Sequence, residues 1–282
     1  MPNSFINPLP LEVPITDQYA DGKAAQMWAK YIGDNTSRTS NYKDFLVSFL
    51  RKNGCKRILD VACGTGVDSI MLLEEGFEVT SIDGSDKMLK HALRSRWRRR
   101  KEPAFDNWVI EEANWTSLTK DLGKFKQFDA VICLGNSFAH MLDTTGDQEN
   151  QRLALKNFEE CLKPGGILLI DHRNFDHMLS GETAPPKSIY YSSSLNCTIK
   201  TYVTYISNKP RMITLDYFFN ETSAENTKCE FKLFYHPHRL HDFSKMLHDT
   251  FGKNSKETIL ADFKPLDEVK TPGYYIHLVK KH

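Results

Sequence analysis

Stretches typical of buried strands alternate with stretches typical of helices between residues 56 and 173, and this alternation restricts the possible folds most. Short apolar runs predict the strands, and segments with helical periodicity predict the helices. Strands joined by helices of this length form βαβ units, so we expect an α/β domain built on a parallel sheet. The expected strands are residues 56–62, 77–83, 107–114, 128–135 and 167–171, and the expected helices are residues 67–76, 85–97 and 148–166.

The pattern changes after residue 173, where aromatic and β-branched runs replace the alternation. The runs SIYYSSSL, TYVTYISN, RMITLDYFFN and EFKLFYH predict an antiparallel meander, in which SAENTKC (223–229) is expected to be a hairpin tip. Helical patterning returns at residues 240–252, and residues 273–281 predict a last strand that rejoins the main sheet.

These patterns divide the chain into three parts. Residues 1–18 are proline-rich and are expected to form an extended arm, while residues 24–31 and 42–50 have helical patterning. The predicted division is an arm with the first helix (1–35), an α/β domain (36–173 with 236–282) and a small antiparallel domain (174–235).

Composition disfavours several classes of protein. The 282 residues have a net charge of +1, so no overall field attracts nucleic acid or an anionic membrane. No apolar run approaches the roughly 18 residues of a membrane span. The first 20 residues lack the apolar core of a signal peptide, and the six cysteines form no C-x-x-C pair, so a reducing cytosol is expected. The basic run RSRWRRRK (94–101) is expected to be a solvated helix end, with an anion site or subunit contact as the alternative.

A glycine-rich turn, CGTG (63–66), follows the first strand of the predicted sheet. Ligands bind at the carboxyl ends of parallel strands, and glycines such as Gly64 let the backbone approach them closely. Asp83, at the end of the next strand, stands at a suitable distance for ribose hydroxyls. Asp68 lies in the first turn of the following helix, where it would repel a pyrophosphate, and the third glycine of a dinucleotide site is absent. A nucleotide cofactor without phosphate is therefore favoured over a nicotinamide dinucleotide.

Polar and aromatic residues follow two further strands of the predicted sheet. Asn114 and Trp115 come after the third strand, and the segment LGNSFAH (134–140) comes after the fourth. The strand ILLID ends in Asp171, His172 and Arg173, at the same edge of the sheet. We expect these strand ends to frame one cleft.

The motif D-x-A-C-G-T-G resembles motif I of S-adenosylmethionine-dependent methyltransferases. Several longer segments, YADGKAAQMWAKYIGDNTSRT (19–39), LDVACGTGVDSIML, EEANW, CLGNSFAH, IDHRN and FYHPH, resemble the glycine N-methyltransferase family. This resemblance implies a Rossmann-like seven-stranded sheet with a small antiparallel β lid. It also implies a cytoplasmic homotetramer that uses S-adenosylmethionine and no metal, methylates glycine to sarcosine, and is inhibited by methyl-tetrahydrofolate.

The resemblance also assigns roles to residues. Glu12 is the candidate for an acidic arm residue that reaches a neighbouring active site. The implied cofactor contacts, with Gly64 from the turn, are Tyr19, Trp28, Tyr31, Arg38, Ala62, Asp83, Asn114, Trp115, Leu134 and His140. The implied substrate residues are Asn136, Arg173, Tyr191, Tyr217 and Tyr235.

Methyl transfer to an amine is an in-line displacement that needs the neutral amine, whose pKa is about 10 for an aliphatic amine. No residue of this set is an obvious strong base, so positioning is expected to be the main contribution, up to roughly 7–11 kcal/mol. Asn136 and the backbone at Gly135 are expected to aim the amine, and Tyr19 the methyl group. Arg173 is suited to the carboxylate, because its planar fork donates two parallel hydrogen bonds.

Alternatives stay open at this point. Arg173 pairs with Asp171 or Asp176 if it is structural. If it binds the carboxylate, the role left to Asp171 and His172 is to brace it. The lid tyrosines are also explained as ordinary strand aromatics. His140 is either a cofactor contact or a packing residue. Two other functions compete with glycine methylation: methylation of another small amine such as sarcosine, and a folate- or S-adenosylmethionine-binding protein with weak turnover.

Overall fold

The computed structural model describes residues 17–123, 127–181, 188–193, 195–219 and 229–282. Helices and strands alternate up to residue 173, as the apolar pattern predicts. The helices are α1 (Lys23–Ile32), α2 (Ser40–Lys52), α3 (Val67–Glu74), α4 (Asp86–Arg98), α5 (Pro103–Asp106), α6 (Leu118–Asp121), α7 (Glu149–Cys161), α8 (Phe175–Leu179) and α9 (Leu240–Phe251). None of the helices in these ranges is long and apolar enough to cross a bilayer.

The strands form one large sheet and one small sheet. The large sheet has the order β10-β9-β11-β5-β4-β1-β2-β3, in which β1 to β5 are parallel and β11 is antiparallel to both β5 and β9. The strands are β1 (Arg57–Asp60), β2 (Glu78–Asp83), β3 (Val109–Glu112), β4 (Phe128–Cys133), β5 (Leu162–Arg173), β6 (Cys197–Ile206), β7 (Lys209–Phe219), β8 (Cys229–Tyr235), β9 (Lys256–Ala261), β10 (Lys264–Pro265) and β11 (Tyr274–Lys280).

The large sheet matches the predicted seven strands with one addition, the two-residue strand β10 at its edge. The last strand does return to the main sheet, where β11 lies between β5 and β9. The sequence patterns gave no indication of β9, which is short and only partly buried.

The small sheet is an antiparallel meander of β6, β7 and β8, as the aromatic runs predict. Ser207 and Asn208 both have positive φ between β6 and β7, as expected for a two-residue hairpin turn. The run at residues 188–193 is not a strand, because Tyr191 makes only an isolated bridge with Arg38. Most of the predicted hairpin tip, residues 223–228, lies outside the described residues.

Two apolar layers cover the two faces of the large sheet. Neighbouring residues of β1 point to opposite faces, so Ile58 packs with Leu46 of α2 while Leu59 packs with Phe158 of α7 and Phe243 of α9. Each fully buried side chain of this size contributes about 1.5–3 kcal/mol relative to an exposed one. A third cluster joins the small sheet to α1 and α8, so the N-terminal helix packs against the proposed lid.

Three local predictions need correction. The helix predicted for residues 148–166 ends at Cys161, because β5 already begins at Leu162 and includes the Pro-Gly-Gly segment. Strands β3 and β4 end at Glu112 and Cys133, two residues earlier than predicted, and this leaves the polar segments after them free to line a cavity. The helix predicted for residues 85–97 begins one residue later, at Asp86, because Ser85 is its N-cap, although the Ser85 side chain makes no capping hydrogen bond.

Candidate active site

A cavity of about 860 Å³ lies at the carboxyl ends of the parallel strands, where the segments after β1 to β5 converge. The N-terminal segment and Tyr235 of the small sheet close its other side. Most of the predicted site residues line this cavity: Tyr19, Trp28, Arg38, Ala62, Gly64, Asp83, Asn114, Trp115, Leu134, His140, Arg173, Tyr191 and Tyr235.

In the glycine-rich turn after β1, Gly64 and Gly66 require glycine for different reasons. Gly66 has a φ of +82°, and a Cβ at this position would lie 2.8 Å from a ring carbon of Trp108, so the fold itself requires glycine. Gly64 has a φ of +53°, and a Cβ at this position would have no atom within 4 Å. Its backbone therefore borders open space in the cavity. Gly64 is thus the glycine that a ligand can approach.

Asp83 is held beside this turn. Its carboxylate accepts hydrogen bonds from the N–H groups of Gly64, at 2.8 Å, and of Ser85, at 2.9 Å. Burial raises the pKa of Asp83 to about 6, against the opposing effect of these hydrogen bonds. The group is therefore an ionised acceptor at neutral pH, and it faces the cavity.

Asp68, the residue expected to disfavour phosphate, is paired. Arg38 Nε lies 2.6 Å from Asp68 Oδ1, and the Arg38 side chain is only 7% exposed. The guanidinium also lies 5.8 Å from the centre of the Tyr191 ring. Arg38 thus lines the cavity as half of an ion pair, and the pair offers no net positive charge to a phosphate.

The segment after β3 is fixed by its own hydrogen bonds. Asn114 Oδ1 accepts from the N–H and the hydroxyl of Thr116, each at 2.9 Å, so Nδ2 is the group that Asn114 can direct at a base edge. Trp115 donates from Nε1 to the Val61 carbonyl at 2.6 Å. Its ring stacks on Phe138 at a centroid distance of 5.7 Å, so one of its two faces is already covered.

Side chains cross-link the ends of β4 and β5. The Asn136 N–H donates to Asp171 Oδ1 at 2.8 Å, and the Arg173 N–H donates to Asn136 Oδ1 at 2.9 Å. Tyr190 completes the group by donating its hydroxyl to Asp171 Oδ2 at 2.6 Å. Burial raises the pKa of Asp171 to about 7. We call Asn136, Asp171 and Tyr190 the strand-end clasp.

Arg173 projects from the end of β5 into the cavity wall. The residue is 8% exposed, its Nε has no hydrogen-bond partner in the described part of the chain, and its Cζ lies 4.9 Å from the centre of the Tyr274 ring. Asp171 is occupied by the strand-end clasp, and Asp176 pairs with Arg239 at 3.8 Å. Neither carboxylate forms an ion pair with Arg173, so within the described ranges the cation lacks the partner that a structural role requires.

Aromatic side chains from three segments meet on the other side of the cavity. The ring of His140 lies 4.6 Å from that of Tyr235 and 6.0 Å from that of Tyr19. Burial, with the charge of Arg173, lowers the pKa of His140 to about 4, so the ring is neutral. Burial also raises the pKa of Tyr19 well above its usual value, and its hydroxyl stays protonated.

Three predicted residues do not line the cavity. Tyr217 is fully buried with its ring 4.9 Å from Phe231, and Tyr31 packs at 5.4 Å from Tyr191. Both rings lie behind Trp28, which does line the cavity. Asn136 is also behind the wall, because its side-chain oxygen points at the Arg173 backbone.

Three further residues shape the site but were missed. Tyr274 and Tyr190 line the cavity beside Arg173, and both were seen only as part of strand-like runs. Gln18 exchanges two hydrogen bonds with Phe234 of β8: its Nε2 donates to the Phe234 carbonyl at 2.9 Å, and its Oε1 accepts from the Phe234 N–H at 2.7 Å. This pairing holds the neighbouring Tyr19 at the cavity.

The remaining candidates lie away from the cavity or outside the described residues. The basic run is the end of α4, where Arg99 pairs with Glu74 and Glu102 and Trp97 is 68% exposed. This location agrees with a solvated helix end. Glu12 lies outside the described residues. Within the described ranges, no three His, Cys, Asp or Glu side chains are grouped so as to hold a metal ion.

The chain is similar to known methyltransferases over nearly its whole length. A family model described as a methyltransferase domain matches residues 52–230. A glycine N-methyltransferase of Rattus norvegicus is 55% identical over 274 residues, which cover 95% of this chain and 94% of that protein. A glycine/sarcosine N-methyltransferase of Aphanothece halophytica is 31% identical over 277 residues, which cover 96% and 94%. The fold alone resembles a solved S-adenosylmethionine-dependent methyltransferase of Clostridium acetobutylicum, with a TM-score of 0.66 and 17% identity over 93% of this chain and 98% of that one.

Proposed function

The chain belongs to the glycine N-methyltransferase family, and on that premise we propose that it transfers a methyl group from S-adenosylmethionine to the amine of glycine, giving sarcosine and S-adenosylhomocysteine. The observation that carries this proposal is Arg173, a buried cation at the cavity wall that forms no ion pair in the described part of the chain. A small carboxylate supplies the missing partner.

The residues around the glycine-rich turn fit S-adenosylmethionine, which supplies a methyl group activated by a sulfonium. Asp83 offers an ionised carboxylate to the ribose hydroxyls, and the backbone of Gly64 leaves open space beside it. Asn114 offers Nδ2 to the adenine edge, while Trp115 is available through the ring face that Phe138 does not cover. The Arg38–Asp68 ion pair carries no net charge, which suits a cofactor without phosphate.

Arg173 binds the carboxylate of glycine through a pair of parallel, charge-assisted hydrogen bonds. Its guanidinium is already held by contact with the Tyr274 ring, so little reorganisation is needed on binding. Tyr191 and Tyr235 close the same side of the cavity. Glycine is small enough for the carboxylate at Arg173 to fix the position of the amine.

The amine must enter as the neutral form, because its lone pair forms the new bond to the methyl carbon as the bond to sulfur breaks. Neutral His140 is unsuited as a strong base, and the cavity wall offers Tyr19 as a protonated hydroxyl. The chain therefore accelerates the reaction mainly by holding the amine in line with the methyl group, an effect that can reach roughly 7–11 kcal/mol. We assign Asn136 to positioning of Arg173 through the strand-end clasp, aiming of the amine to the backbone at Gly135, and aiming of the methyl group to Tyr19.

Other properties are proposed on family membership alone. We propose that the protein is a cytosolic homotetramer, that residues 174–235 act as a lid over the cavity, and that methyl-tetrahydrofolate inhibits the enzyme. Sedimentation, fractionation and inhibition assays test these points separately. Each can fail without affecting the proposed reaction.

A second acceptor, sarcosine, is the main alternative, since the similar protein of Aphanothece halophytica is described as a glycine/sarcosine enzyme. A binding protein with weak turnover is the other. Purified protein incubated with methyl-labelled S-adenosylmethionine and a panel of amines separates them. Labelled sarcosine from glycine is the expected product, dimethylglycine from sarcosine would support the first alternative, and an absence of labelled sarcosine would refute the proposal.

A further inference from the structure

A buried chain of side chains runs from the far side of the large sheet to the backbone of Arg173. Glu257 Oε1 lies 2.7 Å from His277 Nδ1, His277 Nε2 lies 3.1 Å from His172 Nε2, and His172 Nδ1 lies 2.8 Å from the carbonyl oxygen of Arg173. Both histidines are fully buried, and the Glu257 side chain is 5% exposed. None of the three lines the cavity. We call these three residues the Glu257 chain.

The backbone N–H and C=O of Arg173 need side-chain partners because β5 extends beyond β4. The last paired residue of β4 is Cys133, which lies opposite Ile170, so the three following residues of β5 have no strand on that side. The Arg173 N–H is satisfied by Asn136 and its carbonyl by His172. Both backbone polar groups of Arg173 are thus held by side chains whose own positions must be fixed.

The hydrogen bonds determine where the protons are. A carbonyl only accepts, so His172 must carry its proton on Nδ1, and burial lowers its pKa to about 3 and keeps the ring neutral. His172 Nε2 is then an acceptor, so His277 must donate from Nε2. Glu257 Oε1 and His277 Nδ1 therefore share one proton in the hydrogen bond between them. Only this order of donors and acceptors leaves every member paired.

The far end of the Glu257 chain is anchored by α9, and its two imidazoles are covered. Glu257 accepts from the Ser244 hydroxyl and lies 3.1 Å from His248 Nε2, and both residues belong to α9. The ring of Phe243 lies 4.9 Å from that of His172 and 5.1 Å from that of His277, so an apolar side chain covers both imidazoles. Water cannot easily replace a lost partner in such surroundings, which makes each link matter for the next.

We propose that Glu257, His277 and His172 are positioning residues that fix the Arg173 backbone, and through it the guanidinium that binds the substrate carboxylate. This inference rests on the proposed function of Arg173. Displacement of a positioned binding group by a fraction of an ångström weakens the bond that it was placed to make. The Glu257 chain therefore governs glycine affinity and leaves the binding of S-adenosylmethionine unchanged.

The test compares variants that break the order of donors with variants that keep it. His172→Leu and His277→Phe remove a link, while His172→Asn keeps a donor near the Nδ1 position. Glu257→Met removes the anchor, whereas Glu257→Gln keeps it, because the amide nitrogen donates to His277 and the amide oxygen accepts from Ser244 and His248. His241→Leu, an exposed histidine at the start of α9, is the surface control.

The measurements are the glycine KM and kcat of each variant and its Kd for S-adenosylmethionine by calorimetry. We expect the three link-breaking variants to raise the glycine KM about three- to tenfold, the worth of one hydrogen bond, while the cofactor Kd stays unchanged. Glu257→Gln should stay close to the unmodified protein. His172→Asn keeps the donor to the Arg173 carbonyl but loses the link to His277, so its glycine KM should lie between that of the unmodified protein and that of His172→Leu. If a link-breaking variant does not fold, Glu257→Gln compared with Glu257→Met still separates the outcomes.

Two results would overturn the inference. One is an unchanged glycine KM in the link-breaking variants. The other is a parallel loss of glycine and cofactor binding, which would make the Glu257 chain a purely structural element. Failure of the unmodified protein to methylate glycine at all would instead refute the proposed function.

Discussion

The amide oxygen of Asn136 accepts a hydrogen bond of 2.9 Å from the backbone N–H of Arg173, which joins the ends of two neighbouring strands. Asn136 has a φ of +66°, a conformation that asparagine tolerates better than most residues. Its own N–H is held by Asp171 at 2.8 Å. The position of the proposed substrate-binding arginine thus depends on the side-chain oxygen of Asn136, which is itself held by Asp171.

Replacement of Arg173 by lysine should weaken glycine binding selectively. Lysine keeps the charge but loses the planar pair of donors, so we expect the glycine KM to rise about 10- to 100-fold, as for loss of a hydrogen bond to a charged group. The Kd for S-adenosylmethionine should stay unchanged in calorimetry. Equal losses of both would mean that Arg173 supports the whole site rather than the substrate.

Replacement of Asn136 by glycine should raise the glycine KM with little change in backbone strain. Glycine adopts a positive φ freely, so Asn136→Gly removes the amide oxygen and leaves Arg173 without one hydrogen bond. We expect a rise of about three- to tenfold in steady-state kinetics. Asn208→Gly is the matched control, because Asn208 has a φ of +61° in a hairpin turn. An effect of the same size in both variants would contradict the proposed positioning.

Replacement of Asp83 by asparagine should weaken cofactor binding about 10- to 100-fold. The pKa of Asp83 is about 6, and a protonated carboxyl has lost acceptor capacity for ribose hydroxyls. In the unmodified protein the affinity for S-adenosylmethionine should therefore fall as the pH falls through about 6. Calorimetry across pH 5–8 checks both points, and the inflection should vanish in Asp83→Asn but persist in Asp86→Asn, an exposed control. A pH-independent Kd in the unmodified protein would contradict the ribose role.

Activity toward glycine should increase with pH. The reactive form is the neutral amine, and the pKa of an aliphatic amine is about 10. With subsaturating glycine, kcat/KM should rise about tenfold per pH unit from pH 7 to pH 9 and then level off. A flat profile across this range would indicate that a group on the enzyme removes the proton.

Replacement of Tyr190 by phenylalanine should destabilise the protein most at alkaline pH. The folded pKa of Asp171 is raised to about 7, so its favourable effect on folding is present at low pH and lost as the pH rises through that value. Loss of the Tyr190 hydrogen bond penalises the ionised form further, by about 1–3 kcal/mol. Urea unfolding at pH 6 and pH 8 should show the larger loss at pH 8. Tyr275→Phe is the control, and equal losses at both pH values would contradict this account.

The sequence was most informative where a local pattern determines the structure. Alternating apolar runs predicted the parallel strands, and the position of Gly64 and Asp83 at strand ends predicted that both line the cavity. Gly64 and Asp83 are recognisable because each role needs a particular residue type just beyond a strand. The resemblance to a family then supplied residues, such as Trp28 and Tyr235, that no local pattern marks as cavity-lining.

The sequence was least informative where contacts join distant segments. The link between Gln18 and Phe234 spans 216 residues, and that between His172 and His277 spans 105. The role of Asn136 depends on how far β5 extends past β4, which no local pattern encodes. Tyr31 and Tyr217 lie one layer behind the wall for the same reason: which face of an aromatic cluster meets the cavity depends on packing.

The pairing of Gln18 with Phe234 has a consequence for the protein in concentrated solution. Strand β8 is an edge of the small sheet, and an edge strand offers unpaired backbone groups to which another chain can add a strand. Gln18 occupies both the N–H and the carbonyl of Phe234 with one side chain, in place of a neighbouring strand. Ordering of the segment before α1 therefore also shields the protein against edge-to-edge aggregation.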